Sequence, residues 1–246
     1  MKIQLDYWFP ETKIFNRFEI IKMKTLVVTG TSRGIGLEIC KQAAIRGHQV
    51  IALSRNIKPL LGLKNIHPFS VDLTDERSIR RFIEKIGKSF PKVDALINNA
   101  GSLINKPFLE TSNEEFKKIY QVNLFGVASL IRLIFSFLDV RGHVVNISSM
   151  GGVQGSAKFP GLSAYSSSKG GLIILTELLA EEFNKTGPAF NALALGAVQT
   201  EMLEEAFPGY KAPILASDMA TYIIDFALNG QKFYNGKVLP IASSTP

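Results

Sequence analysis

Between Met23 and Ile241 short, nearly continuous apolar runs alternate with longer stretches in which apolar residues recur every three or four positions. The runs are Leu26–Val28, Val50–Leu53, Phe69–Val71, Val93–Ile97, Val144–Ile147 and Phe190–Leu195, with a last one near Lys237 to Ile241. A short apolar run closed by turn residues predicts a strand buried on both faces, and the wider spacing predicts a helix. The helical stretches run to Arg46 with Gly47 as a stop, onward from Asp75, from about Asn113 to Leu138, through Gly170 to Phe183, and from about Ser217 to Leu228. Strand and helix in regular turn predict an α/β protein: a single-domain, doubly wound parallel sheet with helices on both faces. Residues 1–22 have no clear period and carry the only tryptophan, Trp8, so they read as a loosely ordered extension, or else as a packed arm, ahead of one domain spanning 23–246.

Ligands of such sheets bind beyond the carboxyl ends of the strands. Gly30, Arg55, Asp72, Asn98, Ser149 and the loop after Leu195 all fall at those ends. The first strand runs into Thr29-Gly30-Thr31-Ser32-Arg33-Gly34-Ile35-Gly36 and then a helix. Glycines let the backbone approach a ligand closely, and the first helical turn presents free N–H groups, an arrangement suited to pyrophosphate. The spacing is Gly-x-x-x-Gly-x-Gly, which differs from the commonest dinucleotide fingerprint. The second strand ends at Ser54-Arg55-Asn56, with no carboxylate to take a ribose 2′-hydroxyl. Arg55 and Arg33 together suit a 2′-phosphate, because guanidinium matches phosphate geometry and keeps its charge. NADP(H) is therefore expected over NAD(H). Asp72 is a candidate contact for the adenine, and Thr74 or Asp75 for a helix cap.

The segment Tyr165-Ser166-Ser167-Ser168-Lys169 carries the candidate chemistry. Residues four apart share a helix face. A nearby ammonium favours the phenolate of a tyrosine whose free pKa is about 10, so the pair can exchange a proton with a substrate oxygen. Asn123, a poor helix former among Val122, Leu124 and Phe125, predicts a buried amide that needs partners.

Composition narrows the field without changing this picture. The net charge is +7, but Lys and Arg are scattered, which favours a solvated basic surface over a nucleic-acid site. Cys40 has no partner for a disulfide, and His48, His67 and His143 have no ligand spacing, so no metal is expected. Arg132 interrupts the most apolar helix short of the ~20 apolar residues of a membrane span, and no cleavable signal is evident. The default compartment is the cytoplasm.

Taken in order, Thr29-Gly30-x-x-x-Gly34-x-Gly36, Asn98-Asn99-Ala100-Gly101, Asn123, Ser149 and Tyr165-x-x-x-Lys169 resemble the short-chain dehydrogenase/reductase family, from about Met23 to Ile241. The resemblance implies a Rossmann-type fold and an NADP-dependent reductase of carbonyls or dehydrogenase of secondary alcohols. Tyr165 would be its general acid/base. Lys169 would hold the nicotinamide ribose and promote the phenolate, Ser149 would orient the substrate oxygen, and Asn123 would maintain a water-linked proton path. The cofactor footprint it implies is Gly30, Ser32, Arg33, Gly34, Ile35 and Gly36 in the glycine turn, with Arg55, Asp72 and Leu73 beyond the next two strands. Asn99, Ala100 and Gly101 continue it, and Tyr165, Lys169, Gly196, Val198 and Thr200 complete it, Thr200 at the carboxamide end.

Three departures stand out. The interval from Ser149 to Tyr165 is longer than usual, which leaves Ser148 a rival for the serine role. Leu195-Gly196 replaces the common Pro-Gly, and Ala242 to Pro246 lacks paired glycines. A lid of 196–213, with Met202, Leu203, Phe207 and Tyr210, is expected over the site. The helix after Tyr165 spreads Leu172, Ile173, Ile174, Leu175, Leu178, Leu179, Ala180 and Phe183 over about 260° of its circumference, beyond the ~100° that covers a sheet. A homodimer or homotetramer is expected. The competing readings are a catalytically silent NADP(H)-binding regulator or scaffold and a sugar-nucleotide epimerase, for which the region after Tyr165 is short.

Overall fold

The computed structural model describes residues 22–87 and 89–243. The expectation for residues 1–22 therefore lies, but for Lys22, outside the described residues. Seven parallel strands form the central sheet: β1 (Thr25–Thr29), β2 (Gln49–Ser54), β3 (Ile66–Ser70), β4 (Val93–Asn98), β5 (Leu138–Ser149), β6 (Ala189–Leu195) and β9 (Lys237–Ile241). Their order is β3-β2-β1-β4-β5-β6-β9. Strand order reverses between β1 and β4, the point where doubly wound sheets open a ligand crevice. Two short strands, β7 (Val198–Gln199) and β8 (Ile214–Leu215), form a separate parallel pair.

Strand alternation sorts the core into two layers. On one face Leu26, Val28, Val50, Ala52, Ala95 and Ile97 pack with α1 (Gly34–Ile45) and α7 (Ala216–Asn229). On the other, Val27, Ile51, Leu96, Val144 and Phe190 pack with α2 (Glu76–Ile86), α4 (Gly126–Ile134) and α5 (Ser163–Glu182). Each valine, leucine, isoleucine or phenylalanine buried this fully contributes about 1.5–3 kcal/mol.

Two expected elements shift. β3 begins at Ile66 rather than near Phe69, because His67 and Pro68 hide it in the pattern. Proline is tolerated there because β3 is an edge strand. The helix expected over 113–138 is broken into α3 (Asn113–Tyr120), a π-helical turn at Gln121–Phe125, α4 and a short 3-10 turn, and Leu138 already belongs to β5, where it pairs with Val93. Arg132 does not shorten this run as expected. Residues 113–137 hold an 18-residue window of mean hydropathy 1.4, long and apolar enough to cross a membrane by length and composition. In the fold, Val127, Leu130, Ile131 and Ile134 turn into the core.

Candidate active site

A cleft of about 890 Å³ opens at the carboxyl ends of β1, β2, β4, β5 and β6. That volume falls within the range of small-molecule and cofactor sites. It is lined by every expected catalytic and cofactor-binding residue except Asn123 and Gly36.

The glycine turn forms one wall. Gly30 has φ +72°, and a Cβ there would come within 2.7 Å of Ala100 Cα; a Cβ on Gly36 would meet the Gly30 carbonyl at 2.2 Å. No side chain fits at either place, so turn, helix and the β4 loop close on one another. Asn99 clamps them, donating from Nδ2 to the Thr29 and Gly30 carbonyls at 3.0 and 3.2 Å, while the Ala100 N–H donates to Thr29 Oγ1 at 2.9 Å. Helix α1 begins at this turn with no side-chain cap and no acidic residue in its first turn. Its leading N–H groups are left to an anion. This close-backed turn fits a dinucleotide pyrophosphate.

At the β2 end, Arg55 is exposed beside Asp72. Burial works against the Asp72 charge, but hydrogen bonds from the Thr74 N–H and hydroxyl, with the Arg55 charge, hold its carboxyl below the ordinary range. Arg33 takes a different partner from the one expected. Its guanidinium donates to Glu205, Nη1 to Oε1 at 2.5 Å and Nη2 to Oε2 at 3.2 Å. That pairing raises Arg33 and lowers Glu205 from their ordinary values.

Tyr165 and Lys169 lie one turn apart on α5, and the Lys169 ammonium stands 5.9 Å from the centre of the Tyr165 ring. Lys169 is 3% exposed, and its Nζ donates to the Ile147 carbonyl at 2.7 Å. Burial lowers its pKa to about 8. The expected pull of Lys169 toward a phenolate does not dominate in this structure. Burial raises the Tyr165 pKa, and a hydrogen bond shared with the Ser149 side chain opposes it. The phenol is thereby kept protonated, as a proton donor requires.

The two serines at the end of β5 make different contacts. Ser149 faces Tyr165, and its Oγ also accepts from the Gly151 N–H at 3.3 Å. Ser148, one residue earlier, also lines the cleft but donates to the Lys169 carbonyl at 3.0 Å. The longer loop before Tyr165 leaves this arrangement intact.

Asn123 occupies the π-helical turn, fully buried. Such turns often mark functional positions. Its Nδ2 donates to the Ser102 carbonyl and to Ser168 Oγ, both at 2.9 Å, and its Oδ1 accepts from the Ser102 N–H at 2.8 Å. Ser168 in turn donates to the Tyr165 carbonyl at 2.7 Å. Asn123 thus ties the β4 loop to the turn of α5 that carries Tyr165.

The segment expected as a lid contains a helix and a short strand as well as loop. Thr200 caps α6 (Glu201–Ala206), accepting from the Leu203 N–H at 3.2 Å. Met202, Leu203 and Phe207 line the cleft, whereas Tyr210 stands outside its lining. Gly196 donates to the Ile241 carbonyl at 2.9 Å, so the turn lacking proline is still pinned to β9.

Reasoning from sequence missed Ser102, Ser168, Ile147 and Glu205. Ser168 was within reach as the residue three after Tyr165, but nothing local points to Glu205, 172 residues from Arg33. Among the described residues, no three His, Cys, Asp or Glu side chains gather as a metal site.

The family model described as short chain dehydrogenase matches residues 24–211, more than half of the chain. The chain belongs to the short-chain dehydrogenase family. Among curated relatives, this short-chain dehydrogenase is 34% identical to carbonyl reductase (NADPH) 2 of Sus scrofa, over 72% of either chain. It is also 34% identical to the 3-oxoacyl-acyl-carrier-protein reductase FabG of Escherichia coli strain K12, over 78% of this chain and 81% of the relative. Among solved structures, 4-hydroxyisoleucine dehydrogenase complexed with NADH superposes with a TM-score of 0.80 at 26% identity, covering 90% of this chain and 98% of the other. Its fold is a single α/β domain, and its family is that of oxidoreductases that bind a nicotinamide cofactor and act on small-molecule carbonyls or alcohols.

Proposed function

We propose that the chain is an NADP(H)-dependent oxidoreductase that interconverts a carbonyl and a secondary alcohol, with Tyr165 as general acid/base. The observation that carries this reading is the Ser149–Tyr165 hydrogen bond with Lys169 beneath the ring, in the cleft that the glycine turn also lines.

The glycine turn from Gly30 to Gly36 would hold the pyrophosphate of the cofactor. Arg55 and Arg33 would take its 2′-phosphate, and Asp72, Leu73 and Asn99 to Gly101 would flank the adenosine half. Lys169, Gly196, Val198 and Thr200 would hold the nicotinamide half. The bound cofactor supplies or accepts a hydride. Ser149 orients the substrate oxygen toward Tyr165. Tyr165 gives its proton to that oxygen in reduction and takes it back in oxidation, and Lys169, charged near neutral pH, offsets the negative charge left on the phenol oxygen. Asn123 fixes the backbone beneath Tyr165. Ile104, Phe159, Leu162, Met202, Leu203 and Phe207 give the substrate end an apolar lining, suited to a carbonyl on a largely apolar body.

The preference for NADP(H) rests on the two arginines and on the absence of a carboxylate after β2, and the pig relative's name carries NADPH. The NADH complex of 4-hydroxyisoleucine dehydrogenase makes it a question for measurement. Domain 23–246, with the lid at 196–213, is the functional unit in this reading. Ile174, Leu178 and Phe125 are 56%, 61% and 51% exposed on α5 and the π-helical turn, which supports a homodimer or homotetramer. The cytoplasm is its proposed compartment.

Calorimetric titration with NADPH and with NADH tests the reading, followed by a carbonyl screen with Tyr165→Phe as control. Tight NADPH binding with turnover that Tyr165→Phe abolishes is the expected result. Saturable binding with no turnover on any carbonyl would instead make the chain a silent cofactor binder.

A further inference from the structure

Three consecutive residues at the end of α6 fasten the lid to three walls of the cleft. Glu205 takes both outer nitrogens of Arg33. The Ala206 carbonyl accepts from Asn105 Nδ2, in the loop after β4, at 2.8 Å. The Phe207 ring meets Phe159, in the loop after β5, edge-on with centroids 6.3 Å apart. Two of these ties are uncharged and touch only the substrate end. The third holds the glycine turn through the arginine whose fork would grip a 2′-phosphate.

The end-on fork of a guanidinium, one N–H from each of Nη1 and Nη2, grips one oxyanion at a time. With Nη1 and Nη2 both directed at Glu205, a phosphate that needs the same fork meets a carboxylate already there. Glu201 adds a second negative charge at the turn, its Oε2 lying 3.5 Å from where a Cβ of Gly34 would stand. The Arg33 and Glu205 side chains are 49% and 62% exposed, and exposed pairs of this kind are weak. Displacement by a phosphate dianion is therefore feasible, at a cost that an unphosphorylated cofactor never meets.

We infer that Glu205 is a positioning residue that tunes cofactor preference: its carboxylate occupies the phosphate fork of Arg33 while α6 is latched, a 2′-phosphorylated cofactor displaces it and frees that end of the lid, and an unphosphorylated cofactor leaves the latch shut. The inference rests on the NADP(H) reading above. It couples the adenosine end of the cofactor to the helix over the substrate through the Arg33–Glu205 salt bridge, the one that Arg33 makes among the described residues.

Equilibrium titrations of the full chain with NADPH and NADH test it in the wild type, Glu205→Gln, Arg33→Ala and the double variant. Glu205→Gln should tighten NADPH by up to about fivefold, the range of an exposed pair, and leave NADH unchanged. In the Arg33→Ala background the same substitution should have no effect. Hydrogen exchange over residues 201–207 should rise on adding NADPH and not on adding NADH. Weaker NADPH binding by Glu205→Gln would overturn the inference, because the carboxylate would then be holding Arg33 ready for the phosphate; an equal gain for NADH would overturn it as well. If Arg33→Ala loses the preference for NADPH while Glu205→Gln changes nothing, the latch falls and the cofactor reading stands. If Arg33→Ala binds both cofactors as the wild type does, the role of Arg33 in that reading falls, and the latch with it.

Discussion

At and just beneath the floor of the cleft, Lys169 is 3% and Asn123 0% exposed, and each holds a fixed backbone partner, Ile147 for one and Ser102 for the other. Across the mouth, Arg33 and Glu205 are paired at comparable distances but with side chains 49% and 62% exposed. Similar geometry has different consequences in the two places. A buried polar group that loses its partner bears the full desolvation penalty of about 1–3 kcal/mol, whereas an exposed ion pair is worth about 0–1 kcal/mol because water replaces either partner. Partners at the floor are costly to lose and the pair across the mouth is cheap to exchange, a contrast that suits a site that must orient a proton donor and still admit its ligands.

The sharpest way to break this contrast is at the phenol. Tyr165→Phe keeps the ring and removes the proton, so turnover should fall about 10²- to 10⁴-fold while cofactor affinity stays near the wild-type value. Undiminished turnover in that variant would remove Tyr165 from the chemistry.

The rigid frame continues along β5 to His143, 1% exposed, and pH probes it there. Asn191 Nδ2 donates to His143 Nε2 at 2.8 Å, and Nδ1 faces the Phe226 and Ala227 carbonyls at 3.2 and 3.3 Å, an arrangement that fits the neutral ring. Burial lowers its pKa to about 4, and the two carbonyls oppose that only in part. The unfolded chain binds this proton below about pH 6.5 and the folded chain only near 4, so stability is fully present above 6.5 and is lost as pH falls toward 4. The loss from this group is roughly 3 kcal/mol. Urea midpoints at pH 7 and pH 4.5 should show a steeper acid loss in the wild type than in His143→Gln, and equal slopes would mean the ring is not held neutral.

Asn123→Ala tests the floor directly. It leaves the Ser102 N–H and carbonyl without their partner and should cost about 1–3 kcal/mol, read as a lower urea midpoint at unchanged m. A change within a few tenths of a kcal/mol would mean the floor is no stiffer than the lid. Glu205→Gln on the lid is the smallest perturbation, with no measurable shift in the urea midpoint expected and its signature confined to NADPH affinity.

Much of the site was legible in the sequence because its requirements are local. The turn Gly30-x-x-x-Gly34-x-Gly36 stands out because close backbone packing excludes side chains, and Tyr165 and Lys169 because helical spacing puts them on one face. Asn123 was visible as an amide misplaced in an apolar helix, but the π-helical turn that accommodates it was not. The early start of β3 was hidden by His67 and Pro68, since an edge strand needs neither a full apolar run nor every N–H.

By itself the sequence determined the alternation of strands and helices, the parallel sheet, the family and the residue types gathered at the strand ends, because periodicity and glycine placement act within a few residues. Only the tertiary structure decided that Ser149 rather than Ser148 faces Tyr165, that Lys169 reaches Ile147, and that the Arg33 guanidinium is held by Glu205. Each of those depends on which side of a strand meets which helix and on contacts between distant segments. Packing fixes these, and no local pattern encodes them.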